Sequence, residues 1–313
     1  MVYFTIRRLV QSVAVVLIVS IFTFSLTYLM PGDPVYAMLG EDITREQYEI
    51  AYKEMGLDSP IHIRYLKWLG NVLRGDLGQS YKYRQPVVEL LRARLPVTMY
   101  LGVLSLIVST TVGIIFGILA ATKRGKFIDT VISVFAHLGA AMPLFWLGVL
   151  GMALFAMYLG WLPSYGFTFP TENLALSVRQ TILPLLALSV GGIAGTTRQM
   201  RSSLLEVIHQ DYIRTARSKG LKESQVIFGH ALKNSLIPIV TLTGMSFRNI
   251  VSGSMSVEMI FSIAGTGRLL ITSVLAKDVP TVQACILLVA VVVCLANLVV
   301  DISYGYLDPR IRV

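Results

Sequence analysis

The residues able to support enzyme chemistry are scattered along this 313-residue chain. Its histidines stand far apart, and neither an H-E-x-x-H motif nor a Cys/His cluster has the spacing of a metal site. The sequence also contains no G-x-x-x-x-G-K-[ST] phosphate-binding loop. We therefore expect no catalytic residue, no metal ligand and no ATP hydrolysis by this chain. The four histidines are His62, His137, His209 and His230.

The two cysteines, Cys285 and Cys294, lie in one apolar run. In a helix, nine residues separate them by about 13 Å, which is too far for a disulfide. We therefore expect both to pack as small apolar side chains.

A basic segment between residues 212 and 222 could contact another protein. Its Arg and Lys residues could meet carboxylates at the rim of a groove, while Ala216 and Gly220, four apart, would form a face of little bulk. An ordinary positive loop is the alternative, and the composition does not decide between them. The candidate residues are Tyr212, Arg214, Thr215, Ala216, Arg217, Lys219, Gly220 and Leu221.

A second candidate is Arg248, which lies within an apolar stretch beside Asn249 and shortly before Ser252. A charge at that depth of a bilayer costs about 2.5–3.5 kcal/mol, so it should face protein or water. One hypothesis is that these residues line a pathway where Arg248 meets a substrate carboxylate or carbonyl. The other is that Arg248 pairs with an acidic group or a helix end on a partner chain.

Composition indicates the elements that position these residues. The chain is 54% hydrophobic and 14% charged, whereas soluble proteins carry about a quarter charged residues. Long uncharged runs therefore face lipid, and each is near or above the ~20 residues that a crossing helix needs. We predict six spans, at about 9–31, 97–122, 131–160, 180–199, 235–260 and 281–304.

Prolines and glycines modify this pattern. Met142-Pro143 predicts a kink or break in the third span, and Pro184 with three glycines interrupts the fourth. Two pairs of small residues, Gly113 with Gly117 and Gly191 with Gly195, have the spacing that lets helices approach closely. Near the span ends, Glu258 and Asp301 are expected to act as helix caps or ion pairs.

The distribution of Lys and Arg predicts the orientation. Basic residues concentrate at the N-terminus, in 123–130, in 200–234 and at the C-terminus, which places both termini in the cytoplasm. The net charge of +9 is explained by this bias, and no nucleic-acid-binding motif accompanies it.

The stretch 32–95 differs, because it carries nine basic and nine acidic residues. Gly56 to Pro60 reads as a turn, and apolar residues from Tyr65 to Leu73 recur at helical spacing. We predict three parts: the N-terminus with the first span (1–31), a helical extracytoplasmic insert (32–95), and a five-helix core (96–313).

Together, these residues resemble a known family. Tyr212–Leu221 followed by Pro238 is similar to the cytoplasmic signature loop of binding-protein-dependent ABC importer permeases, in the dipeptide/oligopeptide/nickel branch. Only Ala216 and Gly220 match the general E-A-A-x-x-x-G pattern. Further strings resemble the branch in order and spacing: Met30–Pro34, Gly75–Ser80, Arg94–Thr98, Pro143–Gly148, Val257–Phe261, Gly265–Leu270, Asp301 and Leu307–Arg312.

The resemblance implies an all-α membrane protein with the type I ABC importer permease fold, in a bacterial or archaeal cytoplasmic membrane. It implies a second homologous permease subunit, two cytoplasmic ATPase subunits that hold ATP and Mg, and an extracytoplasmic binding protein that docks near 32–95. The segment Tyr212–Leu221 would couple ATPase motion to alternating access for peptides or similar small solutes. The chain would hold no cofactor itself.

The alternatives to this function belong to two other classes. A secondary transporter driven by an ion gradient would need paired intramembrane carboxylates or inverted repeats, and neither is visible. A membrane-embedded enzyme would need a convergent catalytic set, which the sequence also lacks.

Overall fold

The computed structural model describes residues 2–29, 33–40, 42–247 and 250–307. In these ranges the regular structure is helical, and two π-helical segments, Met152–Tyr158 and Val226–Ala231, interrupt the α-helices. The α-helices are α1 Val2–Leu29, α2 Pro34–Leu39, α3 Arg45–Glu54, α4 Ile61–Leu73, α5 Val87–Thr122, α6 Phe127–Ala141, α7 Leu144–Gly151, α8 Leu174–Ile208, α9 Asp211–Ser218, α10 Glu223–Gln225, α11 Leu232–Ser235, α12 Ile237–Phe247, α13 Ile250–Ile260, α14 Thr266–Leu275 and α15 Val279–Leu307.

Four of these helices, α1, α5, α8 and α15, are long and apolar enough to cross a membrane. Two bent combinations also qualify, α6 with the segment Leu144–Tyr158, and Glu223–Ser235 with α12. The six predicted spans therefore correspond to four continuous helices and two bent segments.

The predicted break in the third span is confirmed. Helix α6 ends at Ala141, and the next helix leaves at 105° to it. Met142 has the extended backbone (φ −78°, ψ 128°) that a residue before proline prefers, because the proline ring crowds the helical conformation.

The predicted interruption of the fourth span is wrong. Helix α8 runs unbroken for 35 residues and passes through Pro184. Its glycine Gly192 instead allows close contact, since a Cβ atom there would lie 2.7 Å from the Cβ of Ser109 on α5. Burial of this helix against its neighbours outweighs the poor helix propensity of these residues.

The second span begins earlier than predicted, since α5 starts at Val87 and continues through Pro96. The first turns of α5 are amphipathic, and their buried residues Val87, Leu90 and Leu91 pack against Leu269 and Cys285. Tertiary packing of these residues thus allows the helix to begin before Pro96. Both cysteines are free and buried, as expected.

The stretch after α1 is helical, as predicted. A capping box begins α3, in which the Thr44 hydroxyl accepts from the Gln47 amide and the Gln47 side chain bonds back to Thr44. The predicted turn separates α3 from α4, and Gly56 takes a positive φ of 65° there. Helix α4 lies along α1, where the rings of Tyr65 and Trp68 contact Phe24.

Contacts divide the chain into two compact units. One contains residues up to 98 together with those from 264 onward, and the other contains residues 99–263. In the first unit, α1 packs along α15, and an ion pair of 3.1 Å joins Arg8 to Asp301. The division into 1–31, 32–95 and 96–313 stays a prediction.

In the second unit, glycines on α5 permit close packing against α8. A Cβ atom on Gly113 would lie 2.5 Å from the Cβ of Thr196, and one on Gly117 would lie 2.4 Å from the Cβ of Met200. Both distances are below any real contact, so only glycine fits. The other predicted pair, Gly191 and Gly195, meets no atom within 4 Å.

These two kinds of glycine predict opposite effects on stability. Gly117→Ala should lower the free energy of unfolding by roughly 1–3 kcal/mol, because the new methyl overlaps Met200 and the Thr197 carbonyl. Gly195→Ala, in open space on α8, should raise it by about 0.5–1 kcal/mol. Denaturant titration of the purified chain in micelles, followed by circular dichroism, measures both. Equal effects of the two substitutions would show that this close packing is absent.

Candidate functional site

The predicted basic segment forms a short helix, α9, just beyond the end of α8. Its residues Ile213 and Ala216, three apart, are 0% and 7% exposed. They belong to a buried cluster with Met200 and Leu204 of α8 and with Val226 of the following π-helix. This apolar face therefore fixes α9 to α8.

The opposite face of α9 is polar and exposed. Tyr212, Arg214, Thr215 and Arg217 lie on it, and its charges suit the helix dipole, with Asp211 in the first turn and Arg217 in the last. Such a face is available to another protein.

Two side-chain contacts hold α9 against the segment that follows. Arg217 donates two hydrogen bonds to Glu223, at 2.7 and 3.2 Å. The Asn234 amide donates to the Tyr212 hydroxyl at 2.8 Å. The first bond joins α9 to α10 and the second joins α9 to α11, so the segment 211–235 is held together at two points.

The structure corrects the expected arrangement of Ala216 and Gly220. Ala216 faces the chain's own core, and Gly220 lies past the end of α9, so the two do not share an outward face of small residues. Gly220 has φ 78°, a conformation that side chains disfavour, and its amide donates to the Arg217 carbonyl at 2.9 Å. The glycine thus ends the helix, while exposed Lys219 and Leu221 flank it.

Helix α8 is tied to α6 by an ion pair between Arg201 and Asp129. The guanidinium donates to the two carboxylate oxygens at 2.7 and 2.9 Å. The carboxylate also accepts from the Gly125 amide at 3.0 Å, and Asp129 is 6% exposed. Such fork-shaped pairing fixes orientation as well as distance. Sequence reasoning missed this pair, although a lone acidic residue in the basic stretch 123–130 was a usable signal.

Helix α8 also contacts α11. The Ser203 hydroxyl donates to the Ser235 carbonyl at 3.0 Å, and both residues are buried. Together with the Arg201–Asp129 pair and the glycine contacts to α5, this bond connects α8 to helices on several sides. A displacement of α9 would therefore move α8 and its neighbours together.

A second polar centre in the other unit was also missed. The fully buried Asp278 accepts hydrogen bonds from the Ser80 and Thr281 hydroxyls and from the Tyr81 amide. Burial raises the pKa of Tyr81 to about 12, and the nearby Asp278 carboxylate adds to the shift. These bonds attach the hairpin of residues 75–86 to the start of α15.

The structure describes only some of the predicted pathway residues. Arg248 and Asn249 lie outside the described residues, and of Ser252 only the helical backbone is described, within α13. In the described part of the chain, no three His, Cys, Asp or Glu residues form a group that could hold a metal. Asp301, expected to form an ion pair or a cap, pairs with Arg8.

The fold and this segment define a multi-pass helical membrane protein in which a basic helix is fixed to the end of α8, one of the helices long enough to cross a membrane. Family models agree with that class. The model described as "Binding-protein-dependent transport system inner membrane component" matches residues 113–313, and the model of its N-terminal part matches residues 1–102. The chain belongs to this family.

Similar proteins are known in several bacteria. The oligopeptide transport system permease protein AppB of Bacillus subtilis is 39% identical over 312 residues, covering 99% of each chain. The di/tripeptide transport system permease protein DppB of Pseudomonas aeruginosa is 38% identical over 333 residues, covering 100% of this chain and 99% of that one.

A solved structure shares the fold. The crystal structure of an amino acid ABC transporter with histidines matches 67% of this chain and 92% of its own, with a TM-score of 0.51 and 17% identity. This chain is thus a membrane-embedded component of a transport system that depends on a binding protein. The comparisons give no support to an ion-gradient-driven transporter.

The Asp129–Arg201 pair makes a stability prediction. Asp129→Ala should lower the free energy of unfolding by about 2–3 kcal/mol, because it leaves a partly buried guanidinium without its carboxylate. The figure is below that of a fully buried pair, since the Arg201 side chain is 32% exposed.

Denaturant titration in micelles measures this loss. The matched control is Glu49→Ala, which removes the exposed pair with Arg45 and should change the same quantity by less than about 0.5 kcal/mol. A loss for Asp129→Ala no larger than the control's would contradict the assigned role.

Proposed function

We propose that this chain is a channel-forming permease subunit of an ATP-driven importer for peptides or similar small solutes. The names of its relatives support peptides as the solute class, since AppB and DppB are oligopeptide and di/tripeptide permeases. The chain works with a second permease subunit and an extracytoplasmic binding protein. Two ATPase subunits bind ATP and Mg, so this subunit needs no catalytic site of its own.

The observation that supports the proposal is that α9 has a buried apolar face and an exposed polar face. Ile213, with no exposed surface, anchors the helix to α8, while its charged face is open to a partner. Helix α8 has 35 residues and a length of about 52 Å, well beyond the ~30 Å of hydrocarbon in a bilayer. It can therefore carry a displacement of α9 into the membrane.

The coupling residues divide by role. Arg214 and Lys219 face outward and can meet carboxylates on an ATPase subunit, as can the Tyr212 hydroxyl. The Thr215 hydroxyl, which donates to the Asp211 carbonyl, can accept a hydrogen bond on the same face. Arg217 is held by Glu223, and Gly220 with Leu221 completes the end of the helix. A rigid-body movement of this segment would then exchange inward-facing and outward-facing states.

The orientation follows the basic residues. The segment with α9 and both termini lie in the cytoplasm, and the subunit crosses the cytoplasmic membrane several times. The insert at 32–95 then lies outside, where its helices are a docking element for the binding protein. The fixed attachment of the 75–86 hairpin to Asp278 supports this role, because it would transmit docking to α15.

Reconstituted uptake tests the energy source and the coupling surface together. Labelled peptide uptake by proteoliposomes that contain the whole complex should require ATP and should persist with a protonophore. Arg214→Glu should lower this uptake and the amount of co-purified ATPase at least tenfold, because it opposes the carboxylates expected at the rim.

The matched control is Lys123→Glu, an equal change of charge at an exposed residue of the 123–130 loop. It should leave both quantities within about twofold of the unmodified complex, as surface charges usually contribute little. Uptake that stops with the protonophore, or equal effects of the two substitutions, would contradict the proposal.

Arg248, with Asn249 and Ser252, is proposed to line the solute pathway. A charged residue within a span needs a polar partner, and a substrate carboxylate or carbonyl would supply one. Arg248→Gln should therefore change the relative uptake of free peptides and C-terminally amidated peptides by about tenfold, the worth of one charge-assisted bond. Unaltered uptake of every substrate would reject this role.

A further inference from the structure

The unit that contains α1, α4 and α15 holds two neighbouring cavities of opposite character. One has about 420 Å³ and is lined by five charged side chains, Lys53, Glu54, Arg64, Lys67 and Asp76, together with aromatic and amide groups. The other is a groove of about 340 Å³ between α1, α4 and α15 whose lining is almost entirely aliphatic. We name them the polar cavity and the apolar groove.

The two cavities lie one helical turn apart on two separate helices. On α1, Phe24 lines the polar cavity and Ser20 lines the apolar groove. On α15, Gln283 lines the polar cavity and Leu287 lines the apolar groove. Four residues of helix correspond to about 6 Å, so a phospholipid is long enough to reach both cavities. The order is polar toward the C-terminal end of α1 and apolar toward its middle.

The length of the apolar groove fits half a bilayer. Its lining on α1 extends from Leu9 to Ser20, and its lining on α15 extends from Leu287 to Leu298. Each stretch advances eleven residues, or about 16 Å, which is close to half of the ~30 Å hydrocarbon core. That length is close to the length of one acyl chain in a leaflet.

Helix α4 has the surface of a helix at a membrane interface. Its Tyr65 hydroxyl lies 2.8 Å from the Ser20 hydroxyl, so the helix sits beside the last third of the first span. Leu66, which lines neither cavity, is 64% exposed, and Leu73, which lines the apolar groove, is 80% exposed, while Lys67 belongs to the polar cavity. An exposed apolar stripe beside a basic one is typical of helices that lie between acyl chains and headgroups.

We infer that the polar cavity and the apolar groove together bind one phospholipid with a zwitterionic headgroup. The charges of the polar cavity complement such a headgroup: Arg64 and Lys67 suit its phosphate, and Glu54 and Asp76 suit its ammonium. One acyl chain fills the apolar groove. A peptide has the same pair of charges but no long apolar chain, so the adjoining groove favours the lipid.

Native mass spectrometry of the delipidated full-length chain in detergent tests this inference. Dioleoyl phosphatidylethanolamine should bind with saturation at one molecule per chain. Glycerophosphoethanolamine, which has the headgroup alone, and dioleoylglycerol, which has the chains alone, should each bind at least tenfold more weakly. Lys67→Gln should weaken binding of the whole lipid about tenfold. Val13→Trp, which fills the apolar groove, should weaken it by at least as much.

Matched controls lie on the same helices. Arg74→Gln removes a basic residue at the end of α4, and Val10→Trp enlarges an exposed residue of α1; neither residue lines the polar cavity or the apolar groove. Both controls should retain the lipid affinity of the unmodified chain. Equal losses of lipid affinity for Val10→Trp and Val13→Trp would show that lipid binds without a specific site, and would overturn the inference. Equal affinity for the headgroup fragment and the whole lipid would overturn it in favour of a solute site.

Discussion

The unbroken course of α8 is the constraint on which the unit of residues 99–263 depends. Because the helix is continuous through Pro184, its neighbours along the whole length pack against one element. Glycines of α5 approach it more closely than any side chain would allow. In a bilayer, where water cannot drive apolar surfaces together, such close contact is a main source of helix association. Arg201 and Ser203 then extend these connections beyond the apolar stretch.

The anchoring of α9 has a simple energetic reason. A helix of eight residues is too short to be stable alone in water, since nucleation costs more than a few hydrogen bonds return. Its shape therefore depends on the burial of Ile213 and Ala216 in the cluster at the end of α8. Any partner that grips the exposed face consequently acts on a helix that has no independent freedom. Force applied there is transmitted through packed side chains, which suits a subunit that responds to chemistry performed elsewhere.

The six spans, the break at Met142-Pro143 and the insert helices could be predicted from the sequence, because each depends on local composition or on the geometry of proline. The continuity of α8 could not. Gly192 and Pro184 weaken a helix in isolation, and only the neighbouring α5 reveals that the glycine is a point of contact. Local patterns also could not predict that Ala216 is buried, since spacing alone does not show which face of α9 meets the core. Asp278 and Ser80 are 198 residues apart, and no local pattern links such distant positions.

The bend at Met142-Pro143 has a consequence for where lipid can reach. The Met142 amide donates to the Leu138 carbonyl, but the chain then turns through 105°, so the final carbonyls of α6 lack the amides that a continued helix would supply. Hydrocarbon cannot solvate such groups, and backbone outside a helix is tolerated at membrane depth only against protein or water. The corner between α6 and α7 must therefore be shielded from acyl chains, so this side of the molecule does not face lipid.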